Sequence, residues 1–94
     1  MKIKAGIAGA AGYTAGELIR VLAGHPNVEV KYARSKSHDG EFVSSVHRDL
    51  LWLPLKFSEI NFYDINVLFL CMGHGYSSAY LGENKVPAHV KIID

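Results

Sequence analysis

Three glycines at a spacing of three, Gly6, Gly9 and Gly12, are where this chain could do chemistry. They lie in Gly6-Ile7-Ala8-Gly9-Ala10-Ala11-Gly12-Tyr13-Thr14-Ala15-Gly16-Glu17-Leu18, between the apolar run Ile3 to Ala8 and the amphipathic run Glu17 to Ala23. A strand-to-helix corner of this kind aims unpaired backbone N–H groups and the positive end of a helix at one place. An anion suits that place, and a dinucleotide pyrophosphate is the usual one. The spacing G-x-x-G-x-x-G is a variant of the dinucleotide fingerprint. Gly6 or Gly9 is expected to make the tight turn and admit phosphate to the backbone, and Gly12 to let helix and strand pack closely. The donors to phosphate are Thr14 and the N–H groups of Ala11, Gly12, Tyr13 and Thr14. The structural alternative is a glycine-rich turn that binds nothing.

A second group of residues follows from the fingerprint's geometry. Enzymes for the unphosphorylated cofactor place Asp or Glu at the end of the second strand, on the ribose 2′-OH. That slot reads Ala33-Arg34-Ser35-Lys36, and Glu29 comes too early to replace the acid. A guanidinium and a hydroxyl suit a 2′-phosphate, so Arg34 and Ser35 point to NADPH/NADP. The alternative is a solvated basic loop. Cys71 lies inside the apolar run Val67 to Met72 and reads as an inert core thiol. Met72, Gly73, His74 and Gly75 follow at the strand's carboxyl edge, where ligands bind in doubly wound sheets. Met72 and Gly73 are assigned to the cofactor. His74 and Gly75 are assigned to the substrate side, with a task-free loop histidine as the alternative. Tyr13 and Tyr76 read as packing or stacking residues. The remaining histidines show no metal-ligand spacing, and one cysteine cannot complete a site, so no metal is expected.

The elements that must position these residues alternate strand and helix. The first strand runs to Ala8, and a helix begins at Tyr13 or Thr14, with Leu18, Val21 and Leu22 apolar at helical spacing. Gly24 as C-cap and Pro26 as stop end it. Val28 to Ala33 is a second strand, and Arg34 to Gly40 a polar turn. Phe42, Val46 and Leu50 could line one face of a short helix. Leu51 to Phe57 contains Pro54 and is an edge strand or an extended loop. Val67 to Met72 is a central parallel strand, Ser77 to Glu83 a short helix with Ser77 as N-cap, and Val90 to Asp94 a buried strand. The pattern predicts an α/β, Rossmann-like parallel sheet flanked by helices and joined by right-handed crossovers.

Composition narrows the class further. At 94 residues the chain is one domain or a piece of one, and 49% hydrophobic with 20% charged residues fits a globular protein. A net charge of +1, with scattered basic residues, gives no sign of a nucleic-acid partner. One cysteine suggests a reducing compartment. No apolar run approaches membrane-spanning length, so no membrane association and a cytoplasmic location are expected. Because the sequence stops inside a strand, we expect a truncated, N-terminal part of a dinucleotide-binding domain across residues 1–94, with the catalytic domain outside it.

Gly9-Ala10-Ala11-Gly12-Tyr13-Thr14-Ala15-Gly16-Glu17-Leu18 resembles the G-A-S-G-Y-T-G-x-E-L signature of the N-acetyl-gamma-glutamyl-phosphate reductase family. Met72-Gly73-His74-Gly75-Tyr76-Ser77 resembles that family's L-P-H-G-x-S segment, and Val90-Lys91-Ile92-Ile93-Asp94 its V-x-V-I-D. The similarity runs in register from end to end. Ala15 replaces the commoner glycine, and Gly73 replaces the proline, which loosens the loop. The resemblance implies an NADPH-dependent reductase of arginine biosynthesis that converts a small acyl-phosphate substrate to a semialdehyde through a cysteine thioester. It implies that the nucleophile lies in an N-P-G-C-Y type motif beyond this chain, so that no catalytic residue is expected within it. Cys71 falls where the family carries a small apolar residue. A homo-oligomer is expected for the full-length protein. The competing readings are an aminoadipate- or N-succinyl-type acyl-phosphate reductase, a non-catalytic NADP-binding regulatory module, and an oxidoreductase or dehydratase of another Rossmann family.

Overall fold

Ile3–Ala8 forms the central strand β1, with its last four residues buried. Side chains alternate across a strand, so Ile7 and Ala8 enter two separate cores. A computed structural model describes residues 2–73 and 75–94. In it β2 is Val28–Arg34, β3 is Val67–Leu70 and β4 is Lys91–Ile93. The strand order is β2-β1-β3-β4, with every pairing parallel. One core holds Ile7, Ala15, Ile19, Ala33, Val43, Leu50 and Phe57, and the other Ala8, Ile65, Leu68, Leu70 and Val90. Covering both faces in this way is what a parallel sheet requires.

The chain path creates the feature that matters for ligands. β1 passes through helix α1, Tyr13–Ala23, to β2 on one side. β3 passes through helix α2, Tyr76–Glu83, to β4 on the other. The connections leaving neighbouring strands β1 and β3 therefore diverge. A crevice opens at their carboxyl ends, the topological switch point where open α/β sheets bind ligands.

Several element boundaries differ from the sequence reading. In α1 the inward stripe is Ala15, Leu18, Ile19 and Leu22, while Val21 is exposed. Val21 lies two residues, about 200° of helical rotation, from Ile19. Gly24 caps α1 in a right-handed conformation, its N–H donating to the Leu22 carbonyl. β3 stops at Leu70 because β1 turns away at Gly9, and Cys71 makes the final inter-strand bond, to the Ala8 carbonyl, at 2.9 Å. Phe42, Val46 and Leu50 do not share a helix. Two 3-10 turns, Val43–Ser45 and Arg48–Leu50, bury Val43 and Leu50, and leave Phe42 half exposed with the Lys56 ammonium 4.9 Å from its ring centroid. Leu51 to Phe57 is an extended loop that pairs only at isolated bridges. The N-cap of α2 is Gly75, not Ser77, because a φ of 82° there favours glycine. Ser77 is buried, and its hydroxyl donates to the Asp94 carboxylate at 3.1 Å. β4 is exposed rather than buried, because it is an outermost strand, and only Val90 before it enters a core.

Candidate functional site

Gly9 takes a φ of +75°, and a Cβ placed on it would lie 2.8 Å from both the Cys71 carbonyl oxygen and Met72 Cγ. The tight turn between β1 and α1 is therefore made at Gly9, where the chain also presses against the end of β3. Gly6 has another role: a Cβ there would meet Ile65 Cδ1 at 3.1 Å and Ile60 Cγ2 at 3.3 Å. Gly12 is not the close-packing glycine that the spacing predicts. Gly12 precedes the helix with extended backbone, and a Cβ on it would reach only the Gly9 carbonyl, at 3.9 Å. Close packing falls to Gly16, one turn into α1, where a Cβ would overlap the His47 ring.

The glycine loop is tethered on its inner side. Ala10 N–H donates to the Arg34 carbonyl at 2.9 Å. The Ala10 carbonyl accepts from His47 Nε2 at 2.7 Å. On its outer side, none of the described residues accepts a hydrogen bond from the N–H groups of Ala11, Gly12, Tyr13 or Thr14. No side chain caps the start of α1 and no acidic residue lies in its first turn. The corner thus presents four donors and a positive helix end, and the group that complements it is an anion.

A cleft of about 640 Å³ opens at the diverging ends of β1 and β3. It brings together Gly9, Ala11 and Gly12 of the loop, Arg34 and Ser35 at the end of β2, and Met72 after β3. Tyr13, Thr14, Gly73 and Gly75 are exposed and do not line it. Tyr13 is accordingly not a packing residue, whereas Tyr76 does line the cleft. His74 lies outside the described residues. Ser35 is buried, and the Arg34 guanidinium lies 3.2 Å from an Asp39 carboxylate oxygen. The opposite wall includes Ile60, Phe62 and Tyr80, which the sequence reading missed. Phe62 and Tyr80 meet edge to face, with centroids 6.4 Å apart. For Tyr80 a signal existed: Tyr76, Tyr80 and Glu83 recur at i, i+4 and i+7 on α2 and share the cleft-facing stripe. Cys71 also lines the cleft, and burial, with the Asp94 carboxylate adding to it, pushes its thiol above the ordinary range.

Residues 4–94 match the family described as semialdehyde dehydrogenase, NAD binding domain. The chain belongs to this family. Among relatives of this semialdehyde dehydrogenase NAD-binding domain, it is 47% identical to an N-acetyl-gamma-glutamyl-phosphate reductase of Flavobacterium johnsoniae and 48% identical to one of Christiangramia forsetii. Each similarity covers 98% of this chain and 29% of the relative, so the chain spans under a third of their length. The fold is similar to a crystal structure of aspartate semialdehyde dehydrogenase with NADP from Candida albicans. There the TM-score is 0.68 and the identity 20%, over 88% of this chain and 25% of that one.

The residues present fit the dinucleotide that a semialdehyde dehydrogenase NAD-binding domain takes. A cradle that a Cβ at Gly9 would fill, free amides at the start of α1 and a cleft at the switch point suit a pyrophosphate between two nucleosides. Among the described residues, no helix is long and apolar enough to cross a membrane.

Proposed function

We propose that this chain is the NADPH-binding part of a reductase that converts an N-acetyl-γ-glutamyl phosphate to the corresponding semialdehyde in arginine biosynthesis. The observation that carries the reading is near end-to-end similarity, at 47% and 48% identity, to relatives bearing that reductase name. The single cysteine suits a reducing compartment, the cytoplasm.

Within that reading, each group in the chain has a task. The amides of Ala11, Gly12, Tyr13 and Thr14 hold the pyrophosphate, with the Thr14 hydroxyl as a further donor. Arg34 binds the 2′-phosphate through charge-assisted hydrogen bonds, with Ser35 beside it. Met72 and Gly73 border the nicotinamide, and His74 and Gly75 the substrate. When bound, the reduced nicotinamide supplies the hydride that the acyl carbon receives. The nucleophile belongs to a cysteine outside these 94 residues. A thiol held above its ordinary range is a poor candidate at neutral pH, which argues against Cys71.

The test is NADPH oxidation by the intact protein, dependent on N-acetyl-γ-glutamyl phosphate, together with the phosphate-dependent reverse reaction from the semialdehyde. Turnover in both directions is expected, with none from residues 1–94 alone. Turnover only with an aminoadipyl or N-succinyl acyl phosphate would overturn the substrate assignment. No turnover with any acyl phosphate would overturn the reaction.

A further inference from the structure

The interaction between His47 and the glycine loop has no place in the scheme above. His47 lies 37 residues from Ala10, yet its Nε2 stands 2.7 Å from the Ala10 carbonyl oxygen in a partly buried contact. A carbonyl only accepts, so Nε2 carries the proton. The backbone of His47 is held from both sides. Its backbone N–H donates to the Val43 carbonyl at 2.9 Å, and its carbonyl accepts from Leu50 N–H at 3.0 Å, which fixes it between the two 3-10 turns. Its ring fills the space that a side chain at position 16 would need, which is why glycine sits in the first turn of α1.

We infer that His47 is a positioning residue for the nucleotide loop: by holding the Ala10 carbonyl on the inner side it turns the Ala11 N–H outward to the pyrophosphate. One peptide unit links the two contacts. In a trans peptide the C=O of one residue and the N–H of the next point in opposite directions. With the Ala10 carbonyl aimed at His47, the Ala11 amide faces away from the imidazole, on the side where Ala11 lines the cleft. Without the imidazole this peptide is free to rotate, and the first donor of the loop is no longer preset. Ala10 N–H is fixed independently by the Arg34 carbonyl, so the loop stays attached and only the orientation of the next peptide is released.

The inference rests on the dinucleotide reading, and its test separates the two. Equilibrium binding of NADPH and of NADH to the intact protein is measured beside its thermal midpoint. His47→Ala should weaken both nucleotides by about tenfold, the order of one lost hydrogen bond, and by the same factor because both carry the pyrophosphate. His47→Gln, which returns an amide donor, should restore most of the loss. His47→Leu keeps bulk without a donor, should behave as His47→Ala, and serves if the alanine variant does not fold.

Gly16→Ala tests the same contact from the other side. Alone it should expel the ring and weaken both nucleotides. In the His47→Ala background it should cost no further affinity and should raise the thermal midpoint, because alanine favours a helix over glycine. Unchanged affinities in a folded His47→Ala or His47→Leu protein, failure of His47→Gln to rescue, or additive losses in the double variant would overturn the inference and leave the cofactor assignment standing. A wild-type protein that binds neither nucleotide would overturn both.

Discussion

The Arg34 guanidinium lies 3.2 Å from Asp39, across the polar turn that leaves β2. The cation assigned to the 2′-phosphate is thus already paired with an exposed carboxylate, which a phosphate must outcompete. Exposed pairs of this kind contribute about 0–1 kcal/mol. Arg34→Ala should weaken NADPH by about one to two decades and NADH little, the scale of a lost charge-assisted contact. Asp39→Asn should tighten NADPH by a few-fold at most and leave NADH unchanged. Calorimetric titration with both nucleotides checks this, and equal losses for both in Arg34→Ala would show that Arg34 does not read the 2′-phosphate.

Two loop glycines should respond differently to the same substitution. Gly9→Ala meets both a positive φ and contacts at 2.8 Å with Cys71 and Met72. It should destabilise the protein by on the order of 2–4 kcal/mol. Gly12→Ala has an ordinary φ and open space, and should cost under about 1 kcal/mol. Gly12 lines the cleft, so the substitution should still weaken nucleotide binding. Chemical denaturation and nucleotide titration of both variants separate the two effects.

Cys71 provides a test of where the nucleophile lies. Burial, reinforced by Asp94, holds its thiol above the ordinary range, so the thiolate is scarce at neutral pH. Cys71→Ala in the intact protein should keep most reductase activity. Iodoacetamide should modify Cys71 slowly near pH 7 and faster as the pH rises past about 8.5, the ordinary thiol pKa. An inactive but folded Cys71→Ala protein would return the catalytic role to this chain.

A polar cluster away from the cleft predicts a pH effect on stability. Asp64 accepts from the Tyr32 hydroxyl at 2.9 Å and pairs with Lys31 at 3.2 Å and Lys4 at 3.4 Å. These contacts, the Tyr32 hydrogen bond foremost, hold its carboxyl below the ordinary range. A carboxylate with a lowered folded pKa stabilises the fold fully above its unfolded pKa of about 4, and that contribution is lost as pH falls through the folded value. Asp64→Asn should therefore lower the thermal midpoint at pH 7, with the gap to wild type closing as the pH falls below about 4. A constant gap would show that the ionised carboxylate does not carry the effect.

Local pattern made the sheet and the nucleotide corner legible in the sequence. The run Val67 to Met72 could be read because a strand covered on both faces is continuously apolar, Val28 to Ala33 because it alternates and is rich in β-formers, and the corner because glycine spacing between a strand and a helix marks a turn. What could not be read depends on contacts between distant segments. Which glycine packs closely was decided by His47, 31 positions after Gly16 and in a stretch with no periodicity of its own. Ser77 looked like an N-cap by type, but its hydroxyl answers to Asp94 at the far end of the chain. The aromatic wall joins Phe62, at the start of a third 3-10 turn Phe62–Asp64, to Tyr80 of α2, and only the Tyr76–Tyr80 spacing hinted at it.

The central claim is that a dinucleotide lies in the cleft between β1 and β3, with its phosphates on the glycine loop. A crystal structure of the intact protein with NADP tests it most directly. Pyrophosphate oxygens are expected within hydrogen-bond distance of the Ala11 to Thr14 amides, and the 2′-phosphate against Arg34 in place of Asp39. A nucleotide bound elsewhere, or one in this cleft with its phosphates away from the start of α1, would contradict it.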